Sequence, residues 1–338
     1  MTQRYAINWL NYKFIQLDGY GLFGMNFIRA LTRLGVEVHP NTVELMTWPG
    51  WLQVLSGYNP ALLTIALMPS YEMKAGATRL WNYTMYEGTG LEDRWADSAN
   101  RLAERMIVPH EFLVDVFKDN GVKIPIHVIP GGTDPQLFAE RPVSPWRTGR
   151  PYTFLAFADR GTRKGWDIAF NAFYDAFGDN PDVQLIVKSR AATKHDFASA
   201  KWDHRIVFWK EDAITMLPVY EQVDCVVFPT RGEGWGNFGR EPAMMGIPAI
   251  VTRWGGVEDG IDHYAIPIEN YQMVNATLRG DGQWAQPDIE EVAHHMKWCY
   301  ENREEAEAKG RKAARWLREN QTWDHAAQKL FDLMREYR

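Results

Sequence analysis

Apolar residues come in short runs separated by longer amphipathic stretches, the pattern of parallel strands alternating with helices on both faces of a sheet. In the first half, runs at 5–9, 36–39, 62–68, 79–85, 105–108 and 126–129 predict strands. The periodic stretches 22–34, closed by Gly35, and 111–120, closed by Gly121, predict helices. A Pro-rich segment with little periodicity runs from Glu140 through Pro142, Pro145 and Pro151, and reads as a linker. The rhythm then restarts, with strands over 152–158, 183–188, 206–208, 225–228 and 249–252. A helix is predicted over 166–177, and charged helices over 289–301, 304–320 and 323–337. Two doubly wound units in succession predict an α/β protein of two facing Rossmann-like domains, 1–145 and 150–320, with 323–338 packing back on the first. Ligands of open α/β sheets bind outside the carboxyl ends of the strands, so the expected active site is the cleft between the domains.

A length of 338 residues agrees with two domains of ordinary size. The net charge of −6 argues against a surface devoted to nucleic acid or anionic lipid. No apolar run approaches the roughly 20 residues that span a bilayer. The N-terminal stretch lacks the basic start and apolar core of a signal peptide. Cys225 and Cys299 alone support neither a disulfide framework nor a zinc site. The expected location is therefore the cytoplasm, with the sequons at Asn82, Asn275 and Asn320 unused.

The most informative stretch is 228–258, which places Glu233 and Glu241 around Gly234, Gly236 and Gly239. A strand precedes it, and a helix start is expected at Glu241-Pro242, where the missing N–H of proline costs nothing. Glycines let a backbone approach a ligand closely, and a helix N-terminus offers free amides to an anion. Two fixed carboxylates can grip the hydroxyls of a sugar or a ribose. A connection whose glycines serve only the turn is the plainer alternative. Two further loops carry candidate chemistry. Gly19-Tyr20-Gly21-Leu22-Phe23-Gly24 satisfies G-x-G-x-x-G, yet it stands away from its strand, and no acid ends the second strand, which disfavours a nicotinamide cofactor. Residues 158–167 bring Arg160, Arg163 and Lys164 to a strand's carboxyl end, suited to a diphosphate or else a solvated basic loop.

The run from Glu233 to Glu241, followed by Ala243-Met244-Met245-Gly246-Ile247-Pro248, resembles the E-x7-E signature of the retaining, GT4-like glycosyltransferases of GT-B fold. Val108-Pro109-His110-Glu111-Phe112 and Ile129-Pro130-Gly131-Gly132-Thr133-Asp134 resemble further motifs of that family, so that only 41–60 lacks a counterpart. The resemblance implies that Glu241 holds the nucleotide ribose and Glu233 the donor sugar, with Asn237 and Phe238 offering amides. It implies that Arg160 and Lys164 meet the diphosphate, with Arg163 as the substitute for Arg160. Gly255 and Gly256 would line the sugar and phosphates, as would Gly19 and Gly21 in the first domain. Base contacts are expected around 208–212. The family's first-domain His has no match, and Glu87 is the substitute on the acceptor side.

No D-x-D, H-E-x-x-H, G-x-S-x-G or Walker A sequence occurs. The resemblance therefore implies a metal-independent hexosyltransferase that needs a nucleotide diphosphate sugar as co-substrate and no cofactor, acting on an unidentified acceptor hydroxyl. Two alternatives stand beside it: transfer to hydroxymethylated bases of viral DNA, and a non-catalytic nucleotide-sugar-binding module.

Overall fold

The computed structural model describes residues 5–15, 19–43, 49–55, 57–158, 161–189, 204–209, 215–277 and 282–337. The chain forms two compact units, one of Met1–Gly132, Leu278–Gly282 and Gln321–Arg338, the other of Thr133–Thr277 and Gln283–Asn320.

Unit 1 carries strands β1 (Ala6–Asn11), β2 (Glu37–Thr42), β3 (Leu63–Leu67), β4 (Arg79–Tyr83), β5 (Arg105–Val108) and β6 (Ile126–Val128). They form a parallel six-stranded sheet in the order β2-β1-β3-β4-β5-β6. Its helices are α1 (Gly19–Arg33), α2 (Gly50–Gln53), α3 (Arg94–Leu102) and α4 (Glu111–Asp119). The sequence pattern concealed α3, because its buried face is made of Trp95 and the small residues Ala96, Ser98 and Ala99. Asn82, the first sequon, is fully buried and donates to the carbonyls of Ala66 and Met68 at 3.1 Å each, so no glycan can reach it.

Unit 2 carries β7 (Tyr152–Ala158), β8 (Val183–Ser189), β9 (Ile206–Trp209), β10 (Cys225–Phe228), β11 (Ala249–Thr252) and β12 (Ile266–Ile268), again all parallel, in the order β12-β11-β10-β7-β8-β9. A ribbon of β13 (Tyr271–Asn275) and β14 (Gln283–Pro287) is antiparallel. The helices are α5 (Trp166–Phe177), α6 (Leu217–Tyr220), α7 (Asn237–Met244), α8 (Ile261–Tyr264), α9 (Ile289–Glu301) and α10 (Arg303–Asn320). Every residue of β7 is buried, as expected of a central parallel strand covered on both faces. Tyr152, Phe154 and Ala156 join one core with α5 and α9, while Leu155 and Phe157 join the other with α7, α8 and α10. Strand β12 escaped the sequence reading because Pro267 interrupts it. It lies at the sheet edge, where proline is tolerated.

The last helix, α11 (Trp323–Glu336), belongs to unit 1. Trp323 packs edge-on against Phe23 and Phe27 of α1, at 4.8 and 5.4 Å between ring centroids. Arg33 adds an ion pair to Asp324 at 2.6 Å. Gly132 accepts the start of α11 so closely that a Cβ there would lie 2.3 Å from the Trp323 nitrogen.

The Pro-rich segment is not a free linker. The units divide earlier, between Gly132 and Thr133, and 140–151 is fastened to unit 2. The Arg141 guanidinium donates to the Val223 carbonyl and to Ser144. The Trp146 amide donates to Asp224 at 2.9 Å, and Arg147 pairs with Glu307 at 3.0 Å. Proline removed the helical and strand periodicity without removing these anchors.

Candidate active site

The sheet order of unit 2 reverses at β7, which has β8 on one side and β10 on the other. The chain after β7 and the chain after β10 leave their strands at this switch point, where open α/β sheets bind ligands. The first of these connections carries Arg163 and Lys164, and the second carries Glu233. Arg160 lies outside the described residues, as do 210–212 of the expected base contacts.

The two connections are joined backbone to backbone. Gly165 caps α5 with φ +73°, and a Cβ there would lie 1.9 Å from the Pro229 carbonyl oxygen. The Arg231 amide donates to the Arg163 carbonyl at 2.7 Å. Arg231, 5% exposed, pairs with both oxygens of Asp167 at 2.8 and 2.7 Å and donates to Gln286 of β14. Bidentate pairing of this kind fixes orientation as well as energy. Nothing in the sequence around Arg231 announced it.

Glu233 is 7% exposed. Its Oε1 accepts from Lys164 Nζ at 2.6 Å, from Arg163 Nη1 at 2.8 Å and from Thr230 at 3.3 Å. Arg163 also donates to the Gly232 carbonyl at 2.6 Å. Burial pushes the Glu233 carboxyl up, but the Lys164 and Arg163 charges, with the hydrogen bonds from Lys164 and Thr230, outweigh it and hold the pKa below the usual value. Lys164 Nζ also sits 4.9 Å from the ring centroid of Phe238 and 5.6 Å from that of Phe228. Thus one carboxylate and two cations share one partly apolar spot.

Helix α7 starts at Asn237, four residues before the expected place. Gly236 caps it at φ +85°, a conformation open to glycine, and a Cβ there would strike Val257 at 2.3 Å. Asn237 and Phe238 therefore occupy the first helical positions, whose amides have no intrahelical acceptor. Pro242 sits inside the helix instead of at its start, so the Phe238 carbonyl loses its usual donor four residues on. The Asn237 side-chain oxygen is buried without a hydrogen-bond partner among the described residues.

The turn at 255–257 meets the Glu233 loop directly. The Gly256 amide donates to the Glu233 carbonyl at 2.9 Å, and a Cβ on Gly256 would lie 2.3 Å from the Gly234 carbonyl. Both turns rest on Arg240, a fully buried residue that sequence reasoning missed. Its guanidinium donates to the Trp235 carbonyl, to those of Gly256 and Val257 at 3.4 Å each, and to that of Asp259 at 3.0 Å. It also stacks 3.9 Å from the Trp235 ring centroid. Its acceptors are backbone carbonyls, which leave no trace in residue identity.

Glu241 is half-buried on α7, and its Oε2 accepts from the Tyr220 hydroxyl at 2.9 Å. Burial pushes this carboxyl up to about 7, against a smaller opposing effect of the Tyr220 hydrogen bond.

In unit 1, α1 begins at Gly19 itself. A Cβ on Gly21 would lie 2.1 Å from the Ile15 carbonyl oxygen, and one on Gly24 would lie 2.0 Å from Asn11 Oδ1. These two glycines are accounted for by packing within the unit, whereas among the described residues nothing lies within 4 Å of a Cβ on Gly19. Tyr20 ties this helix start to the end of β4, its hydroxyl donating to the Met85 carbonyl at 3.1 Å. Glu87 follows β4 at the same carboxyl edge and is half-buried. Burial and then the Glu87 and Glu92 charges push the neighbouring Tyr86 phenol up to about 12.

Two parallel six-stranded Rossmann-like units, one with carboxylate and cations at its switch point, define the GT-B fold of nucleotide-sugar glycosyltransferases. The chain belongs to the family described as Family 4 Glycosyltransferase in conflict systems, which it matches over residues 110–330. Anabaena HepE, solved with UDP and glucose, is similar in structure at a TM-score of 0.72 and 14% identity, over 98% of this chain and 100% of that one. Sucrose-phosphate synthase from Thermosynechococcus elongatus is similar at a TM-score of 0.72 and 14% identity, over 99% of each chain. In sequence, uncharacterized protein 356 of Sulfolobus islandicus rod-shaped virus 1 is 22% identical over 178 residues. Those residues are 49% of either protein, so the chain spans about half the length of the curated relative it matches. Among the described residues, no helix is long and apolar enough to cross a membrane.

Proposed function

We propose that this protein transfers a hexose from a nucleoside diphosphate sugar to an acceptor hydroxyl, with retention at the anomeric carbon and without a metal ion. The observation that carries the reading is the convergence of Lys164 and Arg163 on Glu233 beside the free amides of α7, at the switch point of unit 2. In this reading Glu241 holds the ribose and Glu233 the hydroxyls of the donor sugar. Lys164, Arg163 and the α7 amides face the diphosphate, where preorganised donors contribute most as negative charge builds. The bond between the anomeric carbon and the phosphate oxygen breaks. The acceptor oxygen bonds that carbon on the same face, and its proton passes to the departing diphosphate. Glu87 is the proposed acceptor-side carboxylate.

The test is a screen of purified protein for binding and slow hydrolysis of UDP-, GDP-, ADP- and TDP-sugars, with the anomer of the product read by NMR. UDP-glucose comes first, since HepE was solved with it. Binding of one donor, turnover insensitive to EDTA and a retained anomer are expected. Binding without any turnover would leave only a nucleotide-sugar-binding module. Loss of turnover in EDTA, restored by a divalent cation, would overturn the metal-free part.

The viral relative and the family's place in conflict systems favour one second reading of the acceptor, a hydroxymethylated base of viral DNA. Labelled sugar should then pass to duplexes carrying that base and not to unmodified ones, with binding that weakens as salt rises. The cytoplasm is the proposed location, consistent with two buried, free cysteines.

A further inference from the structure

We infer that Tyr220 is a positioning residue for the nucleotide site, holding Glu241 by one oxygen so that the other is presented to the ribose; this rests on the assignment of Glu241 made above. Tyr220 lies 21 positions before Glu241, outside the motif, and is fully buried at the end of α6. Its ring has no freedom to turn away. It meets Phe138 at 6.0 Å and 62° and packs in one core with Val226, Phe228, Ala243 and Met244. Burial first, and the Glu241 carboxylate second, push the phenol well above its ordinary pKa, so it remains a donor wherever Glu241 is ionised.

The hydroxyl engages Oε2 at 2.9 Å, and among the described residues Oε1 has no hydrogen-bond partner. A carboxylate offers about four acceptor positions. Tyr220 uses one of them and fixes the plane of the rest. A glutamate side chain has three rotatable bonds and would otherwise sample several orientations, at a cost in affinity when the ribose selects one. The short, stiff tyrosine side chain fixes that orientation before the ligand arrives.

The experiment is calorimetric titration of the full chain with UDP, ADP and GDP, each beside its 2′,3′-dideoxy analogue, for the parent, Tyr220→Phe, Glu241→Ala and the double variant. The parent should prefer the ribonucleotide that it binds. Tyr220→Phe should lower the ribo-to-dideoxy ratio by roughly tenfold, the scale of one hydrogen bond to a charged group. The dideoxy affinity should stay near the parent's, a split that general loosening of the fold would not produce. In the Glu241→Ala background, adding Tyr220→Phe should change the ratio no further. An unchanged ratio in Tyr220→Phe, with the parent still discriminating, overturns the positioning role and leaves the proposed function intact. A parent that binds none of the nucleotides, or does not discriminate, overturns the ribose assignment and this inference with it.

Discussion

Lys164 Nζ donates to Glu233 Oε1 at 2.6 Å, with each side chain only 9% exposed. Arg163 reaches the same oxygen at 2.8 Å, so two cations converge on one carboxylate in a place that water hardly enters. Replacing one partner of a buried ion pair strands the other charge, at a cost of about 3–5 kcal/mol. Glu233→Gln keeps the shape and removes the charge. It should lower unfolding stability by about 3 kcal/mol in urea titration and reduce kcat/KM for the donor by at least about a hundredfold. UDP affinity should hold or rise, because Lys164 and Arg163 then keep their full charge for the diphosphate. A variant with the parent's urea midpoint would show that the pair does not stabilise the site.

Gly161 and Gly165 both have positive φ, at 77° and 73°, but their surroundings differ. Among the described residues a Cβ on Gly161 would meet nothing within 4 Å, whereas at Gly165 it would collide with the Pro229 carbonyl. Gly161→Ala should therefore cost only the left-handed backbone term, about 1–2 kcal/mol. Gly165→Ala should cost more, and it should reduce activity beyond its effect on stability, because it pushes the two site-bearing connections apart. Equal melting temperatures for the two variants would contradict this contact.

Apart from β12, the strands of both sheets were legible from their apolar runs, as at 152–158, which is buried throughout, and the long helices from one apolar face, as at 166–177. Glu233, Glu241, Arg163 and Lys164 were legible because they lie close in sequence to glycines and to strand ends. Arg231, Arg240 and Tyr220 were not. Arg231 and Arg240 are charged residues buried in the core, a place that composition denies them, and Arg240 is held by carbonyls that only the folded turns assemble. Tyr220 looks like any core aromatic until its hydroxyl is seen on Glu241. Proline misled the reading three times, first by hiding β12 at Pro267. It also made a fastened segment look like a linker at 140–151 and drew the expected start of α7 to Pro242.

Arg240 links the turns at 233–236 and 255–257 through four carbonyls, one of them Trp235. Burial lowers its pKa from the ordinary value, the mark of a cation removed from water. Arg240→Met keeps much of the stem but removes this donor; the Val257 carbonyl retains the Tyr264 hydroxyl, and each carbonyl left unsatisfied costs about 1–3 kcal/mol. A loss of at least about 2 kcal/mol follows from two such groups. Arg240→Lys should recover only part of it, since an ammonium cannot span the same fan of acceptors. Hydrogen exchange should show the damage as faster exchange at the Gly256 amide, which bonds the Glu233 carbonyl. Unchanged exchange there would mean that Arg240 does not hold the turns together.

The two glutamates should respond to pH in opposite directions. Glu233 has a folded pKa below its ordinary value, so the stability it contributes is present above the unfolded pKa and is lost as pH falls through the folded one. Glu241 is raised to about 7, so folding favours its protonated form, and the unliganded protein should lose stability as pH rises through 7. Nucleotide binding adds a second signature, because a ribose-gripping carboxylate works in its ionised form. Between pH 8 and pH 6 that form falls from roughly ten-elevenths to one-eleventh, so UDP affinity should drop about tenfold. The terminal phosphate of UDP also titrates at about 6, and Glu241→Gln separates the two: it should bind more weakly at pH 8 and show a flatter profile. If the parent and Glu241→Gln give the same pH dependence by calorimetry, Glu241 is not the group that reads the ribose.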